Sequence, residues 1–238
     1  MIILGVECTA SPVSVALTEN GKLVGEYFLN QKITHSQTLL PMCESLLRMA
    51  GVSVQDVDYF AVTAGPGSFT GVRIGISAVK GLAQGLDKPC VPVSVLEAMA
   101  NAFKASECYV CAAMDARCNQ VYNALFRVSD GTVSRLCEDR ALMIDELIPE
   151  LYDLFKNDPL RPIIICGDGA EMLFKILSSK EMSFVRIAPE NIKLQRASGV
   201  AMAAESLIEN GKAVCANDLQ PFYLRLPQAE RELKLKQK

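Results

Sequence analysis

The sequence predicts a mixed α/β protein of two lobes, and three observations carry that prediction. Short apolar, β-rich segments alternate with helical patterns along all 238 residues. The order of elements in the first half recurs in the second, although no repeat is detected residue by residue. Charged side chains are sparse in the first hundred residues and frequent after them. That shift places a boundary near Lys104–Glu107 and divides the chain into lobes over 1–104 and 105–238.

The first lobe opens with three strands, 1-MIILGVE-7, 13-VSVALTE-19 and 23-LVGEYFL-29. The turn 19-ENGK-22 joins the second to the third, because Asn-Gly accepts the positive φ of a tight hairpin. A helix over Ser36–Ala50 follows, capped by Ser36, with His35 in the loop before it and Gly51 as its stop. The strand 59-YFAVTA-64 meets a Gly-Pro-Gly turn, and a helix runs from Ser68 to about Leu86 before the short strand 90-CVPV-93. In the second lobe the strands are 108-CYVCAAMD-115, 120-QVYNALFRV-128 and 132-TVSRL-136. A helix at 145–157, a strand at 162–169 and a further helix follow. The last helix, 197-ASGVAMAAESLIEN-210, ends at Gly211 and is counted with the second lobe, with a return onto the first lobe left open.

Composition limits the function classes. Half the residues are hydrophobic, yet no apolar run reaches the ~18–20 residues of a membrane span. The opening MIILGVEC lacks a basic start and meets Glu7 early, so it does not read as a secretory signal. Nine cysteines without an export signal indicate a reducing cytoplasm, with the thiols acting as small hydrophobes. A net charge of −3 argues against wholesale capture of nucleic acid. Only 225-RLPQAERELKLKQK-238 is locally basic; it reads as a solvated terminus, with an RNA-docking arm the weaker reading.

The inventory of reactive side chains is thin. A single histidine, His35, makes HxxxH and HExxH impossible, and 108-CYVC-111 lies in a strand pattern without a second CxxC, so no metal site is expected. No GxSxG accompanies any serine. The loop 65-GPGSFTG-71 is neither a P-loop nor a dinucleotide fingerprint, since no Gly-Lys-Ser/Thr follows and its glycines run GxGxxxG. Two readings stay open there. One is a tight turn capped by Ser68; the other is an anion site of Gly65, Gly67, Ser68 and Thr70, with Arg73 nearby.

Surface for pairing is the more distinctive signal. After the loop, Gly71, Gly75, Ala78 and Leu82 recur on one helix face, and Gly81 and Gly85 form a second small pair. Interior glycine costs a helix about 0.5–1 kcal/mol relative to alanine, so four of them call for a close neighbour. In the helix at 36–50, Gln37, Pro41, Glu44 and Arg48 make one narrow polar stripe. Leu39, Leu40, Met42, Cys43, Leu46 and Leu47 fill most of the remaining circumference, which is more than one sheet covers. Both helices are therefore expected to form an interface with another subunit.

The stretches 2-IILGVECTASPVSVALTENGKLV-24, 35-HSQTLLP-41, 62-VTAGPGSFTGVRIG-75, 115-DARCNQVYNALF-126 and 221-PFYLRLPQAE-230 resemble the TsaB family, also called YeaZ, in order along essentially the whole chain. The resemblance implies an actin-like ATPase fold of two duplicated ribonuclease H-like lobes. It implies a non-catalytic paralogue that dimerises with TsaD, which carries the catalytic site, and that reaches the small ATPase TsaE through that complex. The role implied is support for forming N6-threonylcarbamoyladenosine at position 37 of tRNAs reading ANN codons, with tRNA met only indirectly. Alone, the pairing face is expected to make a homodimer. The fold implies a first phosphate loop in 5-GVECTASPVSVAL-17, with Glu7, Thr9 and Ser11, and 167-GDGA-170 is read as a remnant second loop. No cofactor is required, and weak ATP or ADP binding is compatible with these residues. The alternative is an ATPase or small-molecule kinase of the same fold. Asp115 and Arg117 are expected to pair with each other or to hold the lobes together.

Overall fold

The apolar, β-branched segments form two five-stranded paths, each with its hairpin on one side and parallel strands on the other. The computed structural model describes residues 1–31 and 34–225; the basic segment beyond Arg225 lies outside them. The first sheet contains β1 (Ile2–Glu7), β2 (Val13–Glu19), β3 (Lys22–Leu29), β4 (Tyr59–Gly65) and β5 (Cys90–Ser94), in the order β3-β2-β1-β4-β5. Strands β1 to β3 are antiparallel neighbours, while β4 and β5 continue parallel to β1. Asn20 and Gly21 take φ of 48° and 76°, the left-handed pair that the Asn-Gly turn predicts.

The second sheet contains β6 (Cys108–Asp115), β7 (Gln120–Ser129), β8 (Thr132–Arg135), β10 (Ile163–Cys166) and β11 (Val185–Ile187), with β9 (Arg140–Met143) also paired to β7. From β8 the order is β8-β7-β6-β10-β11, the same path as β3-β2-β1-β4-β5. The duplication expected from the order of elements is therefore a duplication of topology. The helices are α1 (His35–Ala50), α2 (Phe69–Leu86), α3 (Val95–Asn101), α4 (Ile144–Asn157), α5 (Ala170–Ser179), α6 (Glu190–Lys193) and α7 (Ala197–Glu209). The sequence pattern misses α3, β9, β11 and α6, each three to seven residues long. Elements that short complete too few periods to be read.

The two lobes exchange their last helices. Helix α7, late in the chain, packs on β1, β2, β4 and β5 of the first sheet, whereas α3 packs on β6 and β7 as well as on its own lobe. The two cross closely, since a Cβ on Gly199 would run into the carbonyl of Ala98. Glu26 of β3 holds the start of α7: it accepts from Arg196 Nη1 at 2.7 Å and from Ser198 N at 2.9 Å.

Two expectations for α1 are corrected. Its N-cap is Thr34, without a side-chain bond, and not Ser36; His35 opens the helix and sets Nε2 3.1 Å from Ser11 O, as a donor to that carbonyl. Leu39, Met42, Cys43, Leu46 and Leu47 are not interface residues but part of the first lobe's own core. The sheet, β3 and the neighbouring α2 wrap more of the helix than a flat sheet would. Of the apolar residues assigned to pairing on α1, Leu40 remains exposed, at 47%.

Candidate functional site

Strands β1 and β6 hold the same place in their sheets, and the turns that follow them line one cleft of about 560 Å³ between the lobes. From the first lobe come Thr9 and Ser11 with Gly67 and Ser68; from the second come Asp115, Arg117 and Asp168. The segment Phe222–Arg225 completes its lining. The structural counterpart of the first turn is thus Asp115–Asn119. The turn 167-GDGA-170 follows β10, the counterpart of β4, so it corresponds to 65-GPGS-68 and not to a second phosphate loop in that sense.

Several of the cleft's polar groups are engaged within the protein. Ser68 caps α2 by accepting from Gly71 N at 3.3 Å, and its own N–H donates to Thr9 O at 2.7 Å. Glu7 is fully buried and stands behind Thr9, away from the cleft wall. Its Oε1 accepts from both Thr9 N and Thr9 Oγ1 at 2.6 Å, while Oε2 has no partner. Burial pushes the Glu7 carboxyl up to about 7, and the bonds from Thr9 and the neighbouring Thr63 hydroxyl pull it back only in part. Asp115 accepts from Arg117 N at 2.8 Å and pairs with Arg117 Nη1 at 3.1 Å, one of the two roles expected for it. The turn it anchors carries three successive left-handed residues, Arg117, Cys118 and Asn119, with φ of 67°, 54° and 56°. Asp168 accepts from Gln195 Nε2 at 2.9 Å, and burial raises its carboxyl.

The residues assigned to an anion site separate. Thr9, Ser11, Gly67 and Ser68 line the cleft, but Gly65 is covered, because a Cβ there would run into Phe222 O. Thr70 and Arg73 face instead into a groove between α1 and α2. Tyr122 and Arg225 are cleft residues that the sequence reading left out, and Asp168 enters the cleft from the turn 167-GDGA-170. Phosphoryl transfer needs a carboxylate free to hold a metal, donors for the phosphates and a positioned base. Here the carboxylates are engaged, and no cluster of three His, Cys, Asp or Glu side chains suited to a metal ion stands among the described residues.

The groove between α1 and α2 is the second surface. Leu40, Phe69, Ile74 and Ala78 give it an apolar floor, with Ser36, Thr70 and Arg73 at its edges. Further along α2 stand Gly81 and Gly85, where an added Cβ would meet nothing within 4 Å among the described residues. Gly71 and Gly75 behave differently and are corrected as interface residues: a Cβ on Gly71 would strike Cys8 O, and on Gly75 would lie 2.8 Å from Cys8 Sγ. They serve the packing of α2 on its own lobe. Ala78 and Leu82 are half-buried beside that core.

Two lobes of one topology, closed by exchanged helices around a cleft set at the ends of β1 and β6, make this a duplicated ribonuclease H-like protein of the actin-like ATPase fold. The family model described as "TsaD: tRNA N6-adenosine threonylcarbamoyltransferase" matches residues 22–233. Within that group the chain falls in the TsaB (YeaZ) family. It is 30% identical to the tRNA threonylcarbamoyladenosine biosynthesis protein TsaB of Bacillus subtilis, over 97% of this chain and 96% of that protein. It is 31% identical to the protein of the same name from Escherichia coli, over 94% of this chain and 95% of its relative. The solved structure of YeaZ from Pseudomonas aeruginosa superimposes with a TM-score of 0.76 at 26% identity, covering 93% of this chain and 100% of that one.

Proposed function

We propose that the chain acts in tRNA threonylcarbamoyladenosine biosynthesis as a non-catalytic subunit that pairs with TsaD through the α1/α2 face. The observation that carries this reading is the groove, an apolar strip with two exposed glycines further along α2 that no part of the described chain approaches. Exposed interior glycines weaken a helix, and the close approach of another helix compensates for them. TsaD is the occupant proposed because a TsaD model matches this chain across residues 22–233, so the partner would carry equivalent helices. Two such faces meet about an approximate two-fold axis, and the same geometry allows a homodimer when TsaD is absent. The product supported is N6-threonylcarbamoyladenosine at position 37 of tRNAs reading ANN codons, in the cytoplasm, with TsaE joining through the paired complex and tRNA reached through TsaD. The reading needs no cofactor. The engaged carboxylates of the cleft support pairing over the alternative of an ATPase or small-molecule kinase, and any ATP or ADP held there would be bound weakly.

The test is co-purification of the chain with TsaD, together with Leu40→Glu and Ser77→Arg variants, both on the groove. Both residues are accessible, so the variants should melt within about 0.5 kcal/mol of wild type, as surface changes do, while losing the partner. Leu46→Glu is the contrasting control: it buries an unpaired charge and unfolds the lobe. Retention of TsaD by both accessible variants, or magnesium-dependent ATP turnover by the isolated chain, would overturn the proposal.

A further inference from the structure

After α7 the chain turns back along α2 toward the cleft. Lys80 Nζ donates to Asn217 O and Leu219 O at 3.1 and 3.2 Å, and Leu219 is buried in the first lobe's core. Phe222 N then donates to Ala64 O at 2.7 Å, where glycine at position 65, with φ of 135°, leaves room for the Phe222 carbonyl. The Tyr223 ring stacks on Phe69 with centroids 4.8 Å apart. Arg73 lies 3.8 Å from the Phe69 ring centroid and donates from Nε to Tyr223 OH at 3.1 Å. Two residues later the chain reaches the other lobe, and Arg225 Nη1 donates to Ala116 O at 2.9 Å in the turn after β6.

We propose that Phe222–Arg225 is a latch that holds the interlobe cleft closed, anchored on the first lobe at Ala64, Phe69 and Arg73 and releasable from the second at Ala116. The two ends differ in kind. The first-lobe end combines a backbone bond, an aromatic stack and a cation over a ring, whereas the second-lobe end is one hydrogen bond from a long, flexible side chain. The lobes are joined chiefly by α3 and α7, while the latch crosses along the lining of the cleft among loop residues. A contact there has leverage over the angle between lobes that contacts beside the joining helices lack. Because Phe69 and Arg73 also border the α1/α2 groove, the anchor of the latch is part of that surface.

The native cysteines allow a direct test in the full chain. Cys118, on the second lobe's turn, and Cys215, on the segment bound to the first lobe, are exposed; Cys8, Cys43, Cys90, Cys108, Cys111 and Cys166 are buried. With half-buried Cys137 replaced by serine, spin labels on Cys118 and Cys215 report the distance between the lobes. Arg225→Ala is expected to lengthen and broaden that distance distribution. The open population should rise on the order of tenfold, the factor carried by loss of one charge-assisted hydrogen bond. Arg225→Lys keeps a donor and is expected to fall between the two, and a thermal melt confirms that each variant is folded. A distribution in Arg225→Ala that overlays wild type overturns the proposal, and so does an opening that Arg225→Lys reproduces in full.

Discussion

Glu7 is the residue whose chemistry departs furthest from its type. Buried completely, with the donors of Thr9 and a nearby Thr63 hydroxyl offsetting that burial only in part, it holds its proton up to about pH 7, against 4.5 for an ordinary glutamate. Between those values the folded chain carries a proton that the unfolded chain has lost, so stability falls as pH rises from about 4.5 through 7 and then levels off. A shift of that size corresponds to about 3 kcal/mol. Glu7→Gln keeps an acceptor for Thr9 and offers an amide where Oε2 lacks a partner, beside a Thr63 hydroxyl that also lacks one. Denaturant titrations across that pH window should show the wild-type slope flatten in the variant, which becomes the more stable protein at alkaline pH. Asp168, raised by burial too, leaves a residual slope of the same sign; an unchanged slope would mean that Glu7 ionises freely in the fold. The type and place of this residue were legible in the sequence, at the end of the first strand. Its protonation was not, because the burial depends on β4 and on the second lobe, which no local pattern reports.

Helices α1 and α2 show what a periodic pattern can and cannot tell. Their existence, their stops and the Ser68 cap all follow from local chemistry, and Gly51 ends α1 with φ of 68° as its position predicts. The face each helix presents outward did not follow, because an apolar residue looks the same whether it meets a sheet or a partner. Leu46 and Leu40 are both leucines on α1, yet one is 3% exposed and the other 47%. The glycines divide in the same way: Gly71 and Gly75 yield to Cys8, while Gly81 and Gly85 face open space. Alanine at 81 and 85 should therefore fit the isolated chain and raise its stability by about 0.5–1 kcal/mol per site, read as a higher melting temperature at a dilution where the chain is monomeric. The same pair of changes should weaken pairing, because two methyl groups stand where another helix would approach. Higher stability with unchanged association, measured by sedimentation, would free Gly81 and Gly85 from any role in the face.

At the scale of the whole molecule, the division that sequence suggests and the division that packing makes are not the same. Charge density and element order separate two halves, and the two sheets follow that order. The last helices cross over: α7 lies on the first sheet and α3 reaches the second. Each lobe thus borrows part of its cover from the far half of the chain, and Glu26 fixes the borrowed helix by holding Arg196 and Ser198 N at its start. A chain of this length with two sheets commonly unfolds in separate steps. Exchanged helices remove that option, since a lobe that opens strips α3 or α7 from its neighbour. Gly199→Ala tests this where the two helices meet, because the added methyl has only the backbone of Ala98 to press against. Overpacking of that kind costs about 1–3 kcal/mol. If the lobes fold as one unit, denaturation of the variant followed by tyrosine fluorescence and by far-ultraviolet dichroism gives a single transition at lower denaturant, coincident for both probes and as steep as wild type. If they are separable, the loss falls on one transition and leaves another in place, and the exchange of helices then joins the lobes without making them cooperative.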